Sequence, residues 1–216
     1  MMEVNYDHIK DLLKNVEESS LSSHEYAGLI SNLEKRVASE FINSDLPLMS
    51  FSFYQNAYRR VSDLEKYLNA KNLLMIGMGP VPMTLIYASQ NGLAEKSLGI
   101  DMDPEAVELA KQLNSKLKLN NIFFDYTDGR DFSYSGFDSV FIANLVVGKA
   151  EILQKLAREL PNGTSVVLRD PWGPGKNIAE VGLDSLEDCW EIEAKGEKCP
   201  NFFSQNVFLK LNLRRV

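Results

Sequence analysis

Apolar residues recur along the chain at two different spacings, and the spacing changes near residue 69. From residue 3 to about 68 they repeat every three or four positions, as in Leu33, Val37 and Phe41. That repeat predicts amphipathic helices, and the polar stretch 43–47, which ends in proline, predicts a loop between them. Residues 1–68 are therefore expected to form a small helical segment.

After residue 69, short apolar runs alternate with amphipathic stretches, which is typical of a parallel sheet with crossover helices. Strands are predicted near 72–77, 96–101, 121–125, 137–142 and 163–169. Helices are predicted near 80–91, 104–119 and 148–159. Asp103 and Pro104 suit the N-cap and first position of the second of these helices.

The last part of the chain, from Trp190, contains two strand-like pieces with no helix between them. They are expected to pair antiparallel. A mostly parallel seven-stranded sheet that finishes with an antiparallel hairpin is the Rossmann-like α/β arrangement of class I methyltransferase-type folds. We therefore predict this fold for residues 69–216.

The composition of the chain excludes several classes of function and says less about the fold. The chain has 216 residues, 44% hydrophobic and 25% charged, and a net charge of −7. It can bury a full core, and its acidity argues against a nucleic-acid surface. No run is long and apolar enough to span a membrane, and the polar start does not resemble a signal peptide. Two cysteines without a histidine cluster make a metal site improbable. We expect a cytoplasmic protein that acts on a small molecule or on a protein.

A glycine-containing turn follows the first predicted strand, in the sequence LLMIGMGPVPMT from Leu73. Gly77 and Gly79 allow the backbone to turn tightly and approach a ligand, and Pro80 belongs to the same loop. Asp101 ends the next strand, where its carboxylate can accept hydrogen bonds from a ribose diol or cap the strand end. The third glycine of the dinucleotide fingerprint is absent, but the short GxGP loop followed by IDMDP is more typical of the S-adenosylmethionine form of this fold than of the NAD or FAD form.

Further candidates follow the later strands. Asp128, or Thr127 beside it, can contact adenine, although an Asp-Gly turn explains the same residues. Asn144 and Leu145 follow the fourth strand, at the sheet edge where ligands bind in open α/β sheets. Arg169 ends the fifth strand and can bind a substrate carboxylate, or else pair with Asp170 or a helix end.

These segments resemble the nicotianamine synthases and the related bacterial enzymes that make opine-type metallophores. GMGPVPMT is similar to the family's GxGPxPxT segment. The segments that begin at Leu46, Phe137 and Ser165 match the family in order and spacing. The resemblance covers roughly residues 46–210, and its most specific element is the GPxP loop.

The resemblance implies transfer of an aminobutanoyl group from S-adenosylmethionine to an amine, with methylthioadenosine as by-product. It also implies a catalytic glutamate on an early helix and a tyrosine-rich segment. Glu34 and Tyr54 are the candidate catalytic residues, and Tyr58 is a candidate for substrate binding. Aligning the family's Leu-Glu pair with Leu33 and Glu34 places Ile30 where the acid is expected.

Two other functions remain open on the same fold. One is methyl transfer to a small molecule, and the other is cofactor binding without catalysis, which the apolar Ile30 favours. An ordinary solvated helix face also explains Glu34, and core packing also explains Tyr54. The expected partner is an amine or amino acid, with no nucleic acid and no membrane; a homodimer is compatible with the sequence.

Overall fold

The computed structural model describes residues 23–50, 55, 58, 61–171, 175–176, 179–196, 198 and 204–212. Seven strands in these ranges form one sheet in the order β3-β2-β1-β4-β5-β7-β6. They are β1 (Ala70–Ile76), β2 (Ala94–Asp101), β3 (Ile122–Tyr126), β4 (Ser139–Ile142), β5 (Ser165–Pro171), β6 (Trp190–Lys195) and β7 (Ser204–Leu211). β1 to β5 run parallel, whereas β7 pairs antiparallel with both β5 and β6.

Strand register brings the carboxyl ends of the central strands to one level. Ile76 of β1 is paired with Ile100 of β2 and with Ile142 of β4, and Ile142 is paired with Leu168 of β5. The next residue on each strand therefore lies at the same edge of the sheet. Because the chain order reverses direction at β1 and β4, this edge contains the crevice in which open α/β sheets bind ligands.

The described helices are α1 (Ser23–Ile42), α2 (Met83–Gln90), α3 (Pro104–Leu117) and α4 (Lys149–Glu159). Short 3₁₀ turns occupy Leu48–Ser50, Ser62–Lys66 and Leu183–Ser185. α3 begins as predicted, because the Asp103 carboxylate accepts the N–H groups of Glu105 and Ala106 and Pro104 needs no N–H partner. Along the described residues, no helix is long and apolar enough to cross a membrane.

Side chains of β1 alternate between two apolar cores. Leu73 and Met75 lie in the core that contains the buried face of α1, whereas Leu74 and Ile76 lie in the core that contains the buried face of α4. Both faces of the sheet are therefore covered, which explains why β1 reads as a continuous apolar run. α1 shares its core with the sheet, so the predicted helical segment packs directly on the predicted cofactor domain.

The predicted fold is confirmed, with small shifts at element ends. α1 ends at Ile42, before the predicted loop, and β6 and β7 form the predicted antiparallel pair. α2 begins at Met83 instead of 80, because Pro82 disfavours a helical backbone at Val81, the residue before it, and Pro82 itself is not helical. The predicted helix before residue 23 lies outside the described residues, and the domain boundary at 68/69 stays a prediction.

Candidate cofactor and substrate site

A cavity of about 540 Å³ opens at the carboxyl edge of the sheet. Its floor is formed by the loops after β1, β2, β3 and β4, and one wall is formed by α1. Most of the residues that we predicted from the sequence lie in its lining. They are Glu34, Gly77, Gly79, Pro80, Asp101, Asp128, Asn144, Leu145 and Arg169.

The glycine turn after β1 has the backbone conformation that its sequence suggests. Gly77 and Gly79 have φ angles of +72° and +65°, in the left-handed region that side chains disfavour. The Gly77 N–H donates to the Ile100 carbonyl over 2.9 Å, which holds the turn against β2. A Cβ at Gly77 would collide with Val146, so this turn and the loop after β4 are in close contact.

Asp101 joins two of the loops at the cavity. Its Oδ2 accepts the N–H of Gly79 over 2.8 Å, and its Oδ1 accepts the N–H of Asp103 over 3.0 Å. Burial raises the pKa of the Asp101 carboxyl, while the two backbone donors act in the opposite direction. A carboxylate has further lone pairs in addition to those that the two N–H groups occupy, so Asp101 can also accept hydrogen bonds from a ribose diol.

Asp128 is already engaged by its neighbour in sequence. Arg130 Nη2 lies 2.6 Å from Asp128 Oδ2, and the Arg130 backbone N–H donates to Asp128 Oδ1 over 2.8 Å. The hydrogen bond from the Arg130 guanidinium lowers the pKa of the Asp128 carboxyl. The Asp-Gly turn and the cavity position therefore occur together, and contact with adenine stays a prediction.

The loop after β4 presents an unused acceptor to the cavity. Asn144 lines it, and among the described residues no hydrogen bond reaches the buried Asn144 Oδ1. Buried polar atoms are nearly always paired, so an orphan at a cavity wall indicates that a ligand or water donor belongs there. Leu145 is the next residue in the lining, and it also packs against the core that contains the buried face of α1.

Helix α1 brings Glu34 to the glycine turn. A Cβ built on Gly79 would lie 3.1 Å from Glu34 Oε2, so the carboxylate rests beside the Cα of that glycine. Ile30, one helical turn earlier, also lines the cavity. The position that the family resemblance assigns to an acid is thus apolar, and the nearest carboxylate on the same helix face is Glu34.

Arg169 enters the cavity from the end of β5, and only 7% of its surface is exposed. Its Nε donates to Asn206 Oδ1 over 3.2 Å, and its guanidinium carbon lies 4.7 Å from the centre of the Phe141 ring. Both contacts fix the orientation of the guanidinium plane. A buried, oriented arginine is suited to binding a carboxylate through two hydrogen bonds.

The two predicted tyrosines have different outcomes. Tyr54 lies outside the described residues. Tyr58 is half-buried, with its ring 4.6 Å from the Tyr87 ring and its hydroxyl 3.3 Å from Asn91 Nδ2. The described cavity lining does not include Tyr58. Its role in substrate binding stays a prediction.

Sequence reasoning missed two features of the site. Met102, which is 61% exposed, lines the cavity directly after Asp101, and its signal was a large apolar residue just after a strand-ending carboxylate. Lys149 is fully buried at the start of α4, and its Nζ donates to the Glu180 carbonyl over 2.8 Å and to the Arg169 carbonyl over 3.4 Å. Nothing in the amphipathic pattern distinguished Lys149 from a solvated lysine.

Lys149 belongs to a charged cluster behind the cavity wall. Burial lowers the pKa of the Lys149 ammonium to about 8, although Asp170 and Glu180 act in the opposite direction. The Glu180 carboxylate accepts the N–H groups of Gly148 and Ala150 at the start of α4. Asp170 accepts the N–H of Gly182 over 2.7 Å. The cluster therefore ties the end of β5 to α4.

Comparison with solved structures places the fold among proteins that bind S-adenosylmethionine or its products. The chain aligns with MtNAS in complex with S-adenosylmethionine at 20% identity and a TM-score of 0.75, covering 96% of this chain and 84% of that one. MtNAS in complex with MTA and tNA gives 20% identity and a TM-score of 0.73, with 98% and 91% covered. The N-methyltransferase NodS from Bradyrhizobium japonicum, with S-adenosyl-L-homocysteine, gives 16% identity and a TM-score of 0.55, with 83% and 98% covered.

The fold and the loops around its cavity define a class I methyltransferase-type α/β protein. A search of curated protein sequences finds no match. The family model described as "Nicotianamine synthase protein" matches residues 3–190. The chain therefore belongs to the nicotianamine synthase family of S-adenosylmethionine-dependent enzymes. The match begins at residue 3, upstream of residue 46, where the resemblance in the sequence was expected to begin, and so it includes α1.

Proposed function

We propose that this enzyme transfers the aminobutanoyl group of S-adenosylmethionine to the amine of an amino acid or of a second donor-derived molecule. The observation that carries the proposal is the Glu34 carboxylate, which α1 holds beside Gly79 in the same cavity as Asp101. This arrangement puts a proton acceptor next to the loop that would hold the methionine part of the donor. The family match supports aminobutanoyl transfer as the reaction class.

The cofactor-binding part of the site consists of Asp101 and the glycine turn. Asp101 would accept hydrogen bonds from the ribose hydroxyls, and the turn at Gly77 and Gly79 would let the backbone approach the methionine arm. Asn144 Oδ1 offers a further acceptor from the loop after β4. The sulfonium supplies an electrophilic γ-carbon and a neutral thioether leaving group. Holding that carbon in line with the amine contributes much of the rate.

Glu34 would take the proton that the attacking amine must lose. Amines of amino acids are mostly protonated at neutral pH, so a carboxylate within reach of the nitrogen is needed to generate the nucleophile. The new bond joins that nitrogen to the γ-carbon, while the bond between the γ-carbon and sulfur breaks. Its electron pair remains on sulfur, and methylthioadenosine leaves.

Arg169 would bind the carboxylate of the amine substrate. It is buried and held against Phe141 and Asn206, so its guanidinium plane is fixed before a ligand arrives. Tyr54 remains the second candidate for proton transfer, and Tyr58 remains a candidate for substrate contact. A product with several amine and carboxylate groups chelates metals, and we propose that metallophore synthesis is the use of this reaction.

Mass spectrometry of the products tests the proposal. The purified protein is incubated with S-adenosylmethionine and a mixture of amino acids, and the nucleoside by-products are identified. Methylthioadenosine together with an aminobutanoyl adduct supports the proposal. S-adenosylhomocysteine would instead establish a methyltransferase. Binding of S-adenosylmethionine without either by-product would identify a protein that has kept the cofactor site and lost the chemistry.

A further inference from the structure

Two lysines fasten α1 to α3, one near each end of their contact. The Lys35 Nζ of α1 lies 2.7 Å from Asp103 Oδ2 and 2.7 Å from Glu105 Oε2, at the start of α3. Near the end of α3, Lys116 Nζ donates to the carbonyls of Phe41 and Ile42, at 2.7 and 3.0 Å. The helices therefore run in the same direction and are joined at two levels.

This arrangement leaves the first half of α1 beyond the start of α3. At a rise of 1.5 Å per residue, residues 23–34 extend about 18 Å past the level of Lys35. Gly28, Ile30, Ser31 and Glu34 of this half line the cavity. Lys35 is thus the side chain that fastens α1 to α3 at the point where the helix passes over the sheet edge.

The other end of the Lys35 contact belongs to the cofactor site. Asp103 lines the cavity, and its backbone N–H donates to Asp101 Oδ1 over 3.0 Å. Asp103 uses Oδ1 to cap α3 and Oδ2 to contact Lys35, so one carboxylate fixes both the helix start and α1. Burial alone would raise the pKa of the Asp103 carboxyl, but the hydrogen bond from Lys35 helps to hold it below its usual value.

We infer that Lys35 is a positioning residue that couples cofactor binding at Asp101 to the placement of the Glu34 carboxylate over the glycine turn. Ligand contacts at Asp101 stabilise the turn from Asp101 to Asp103, and that turn holds Lys35 and hence the cavity half of α1. Lys116 serves the same helix pair at the end remote from the cavity. The two lysines therefore have different effects on the site and comparable effects on helix docking.

Hydrogen exchange of the unreactive complex tests the coupling without catalysis. In the wild-type protein, saturating S-adenosylhomocysteine should slow amide exchange both at 77–79 and at 28–34. In Lys35→Met the protection at 77–79 should remain and that at 28–34 should be lost. Lys116→Met, the matched control, should keep both and exchange faster near residues 41–44. Lys35→Arg, which retains the charge, should restore the wild-type pattern.

Kinetics supply the second readout, and this half of the inference rests on the proposed function. Displacing a catalytic group by about 1 Å can cost on the order of a hundredfold in rate, so Lys35→Met should lower kcat by about tenfold or more. Lys116→Met should leave kcat within about twofold, as expected for a substitution remote from the site. S-adenosylhomocysteine affinity should fall in Lys35→Met, because a coupling between two sites is reciprocal, and it should stay near that of the wild-type protein in Lys116→Met.

Two outcomes would overturn the inference. One is an equal loss of kcat in the two lysine variants, which would show that Lys35 only holds α1 on α3 and does not position Glu34. The other is intact ligand-dependent protection at 28–34 in Lys35→Met. If that variant does not fold, Glu105→Gln weakens the same contact without removing the α3 cap. Absence of methylthioadenosine from the wild-type reaction would contradict the proposed function, and the exchange experiment would still decide the role of Lys35.

Discussion

The carboxylate of Asp101 accepts the backbone N–H of Gly79 over 2.8 Å, which joins the loop after β1 to the end of β2. Because its second oxygen accepts the N–H of Asp103, the same side chain also shapes the start of α3. One buried carboxylate thus holds two of the loops that surround the cavity. Its loss should therefore affect ligand binding more than an ordinary loop contact would.

Asp101→Asn should weaken binding of S-adenosylhomocysteine by about 1–3 kcal/mol, since the amide replaces one acceptor oxygen by a donor. Titration calorimetry measures this. Asp138→Asn is the matched control, because Asp138 also accepts two backbone N–H groups, from Lys71 and Asn72, but at the opposite end of β1. Equal affinity losses in the two variants would contradict a ribose contact at Asp101.

Gly79→Ala should reduce both stability and cofactor affinity. A left-handed backbone costs a residue with a Cβ roughly 1–2 kcal/mol, and the added methyl would lie 3.1 Å from Glu34 Oε2. Gly92→Ala separates the two effects, because Gly92 has a similar φ of +66° and its Cβ would meet nothing within 4 Å. Thermal unfolding should show similar losses of stability, whereas calorimetry should show weaker cofactor binding for Gly79→Ala alone.

The parts of the fold that follow from local patterns could be predicted from the sequence. The change of apolar spacing after residue 69 indicated the sheet, and the Asp103-Pro104 pair marked the start of α3 at the correct residue. The glycine turn and Asp101 were predicted as parts of one cofactor site, and they meet because the carboxyl ends of neighbouring parallel strands lie at one edge of the sheet. These inferences need only the local period and the topology of the sheet.

The features that could not be predicted from the sequence depend on packing between segments that are distant in the chain. The run Glu34-Lys35-Arg36 has the composition of a solvated helix face, and only the parallel docking of α1 on α3 brings Glu34 to Gly79 and Lys35 to Asp103. Periodicity tells which face of a helix is buried but not how far the helix extends past a sheet edge. The burial of Lys149 likewise depends on carbonyls of Arg169 and Glu180, which are distant in sequence.

Glu34→Gln should lower kcat by about 10²–10⁴ if Glu34 takes the proton from the amine, because the amide cannot accept it. S-adenosylmethionine affinity should change little. Rates of methylthioadenosine release and calorimetric affinities check the two parts separately. Glu40→Gln, a half-buried glutamate further along α1, is the control and should leave both quantities near those of the wild-type protein.

A different outcome for Glu34→Gln would assign the residue another role. If the affinity for S-adenosylmethionine falls while kcat is retained at saturation, the carboxylate binds a cationic group of the donor and another residue takes the proton. Tyr54 would then be the next candidate. If neither quantity changes, Glu34 is a cavity residue without a part in the reaction. Its position beside Gly79 then no longer supports the proposed function.

Lys149 should make stability depend on pH in the alkaline range. Burial lowers its pKa in the folded protein to about 8, from the usual lysine value of 10.5, so the unfolded chain binds more protons between these two values. The free energy of unfolding should therefore gain a contribution as pH rises through this window, amounting to about 3 kcal/mol in total. Lys149→Met should lack that contribution, and it also removes the donor to two carbonyls, so the pH dependence and not the stability at pH 7 is the readout. Urea unfolding of both proteins from pH 7 to pH 10.5 measures the difference, and parallel curves would show that the buried lysine does not titrate there.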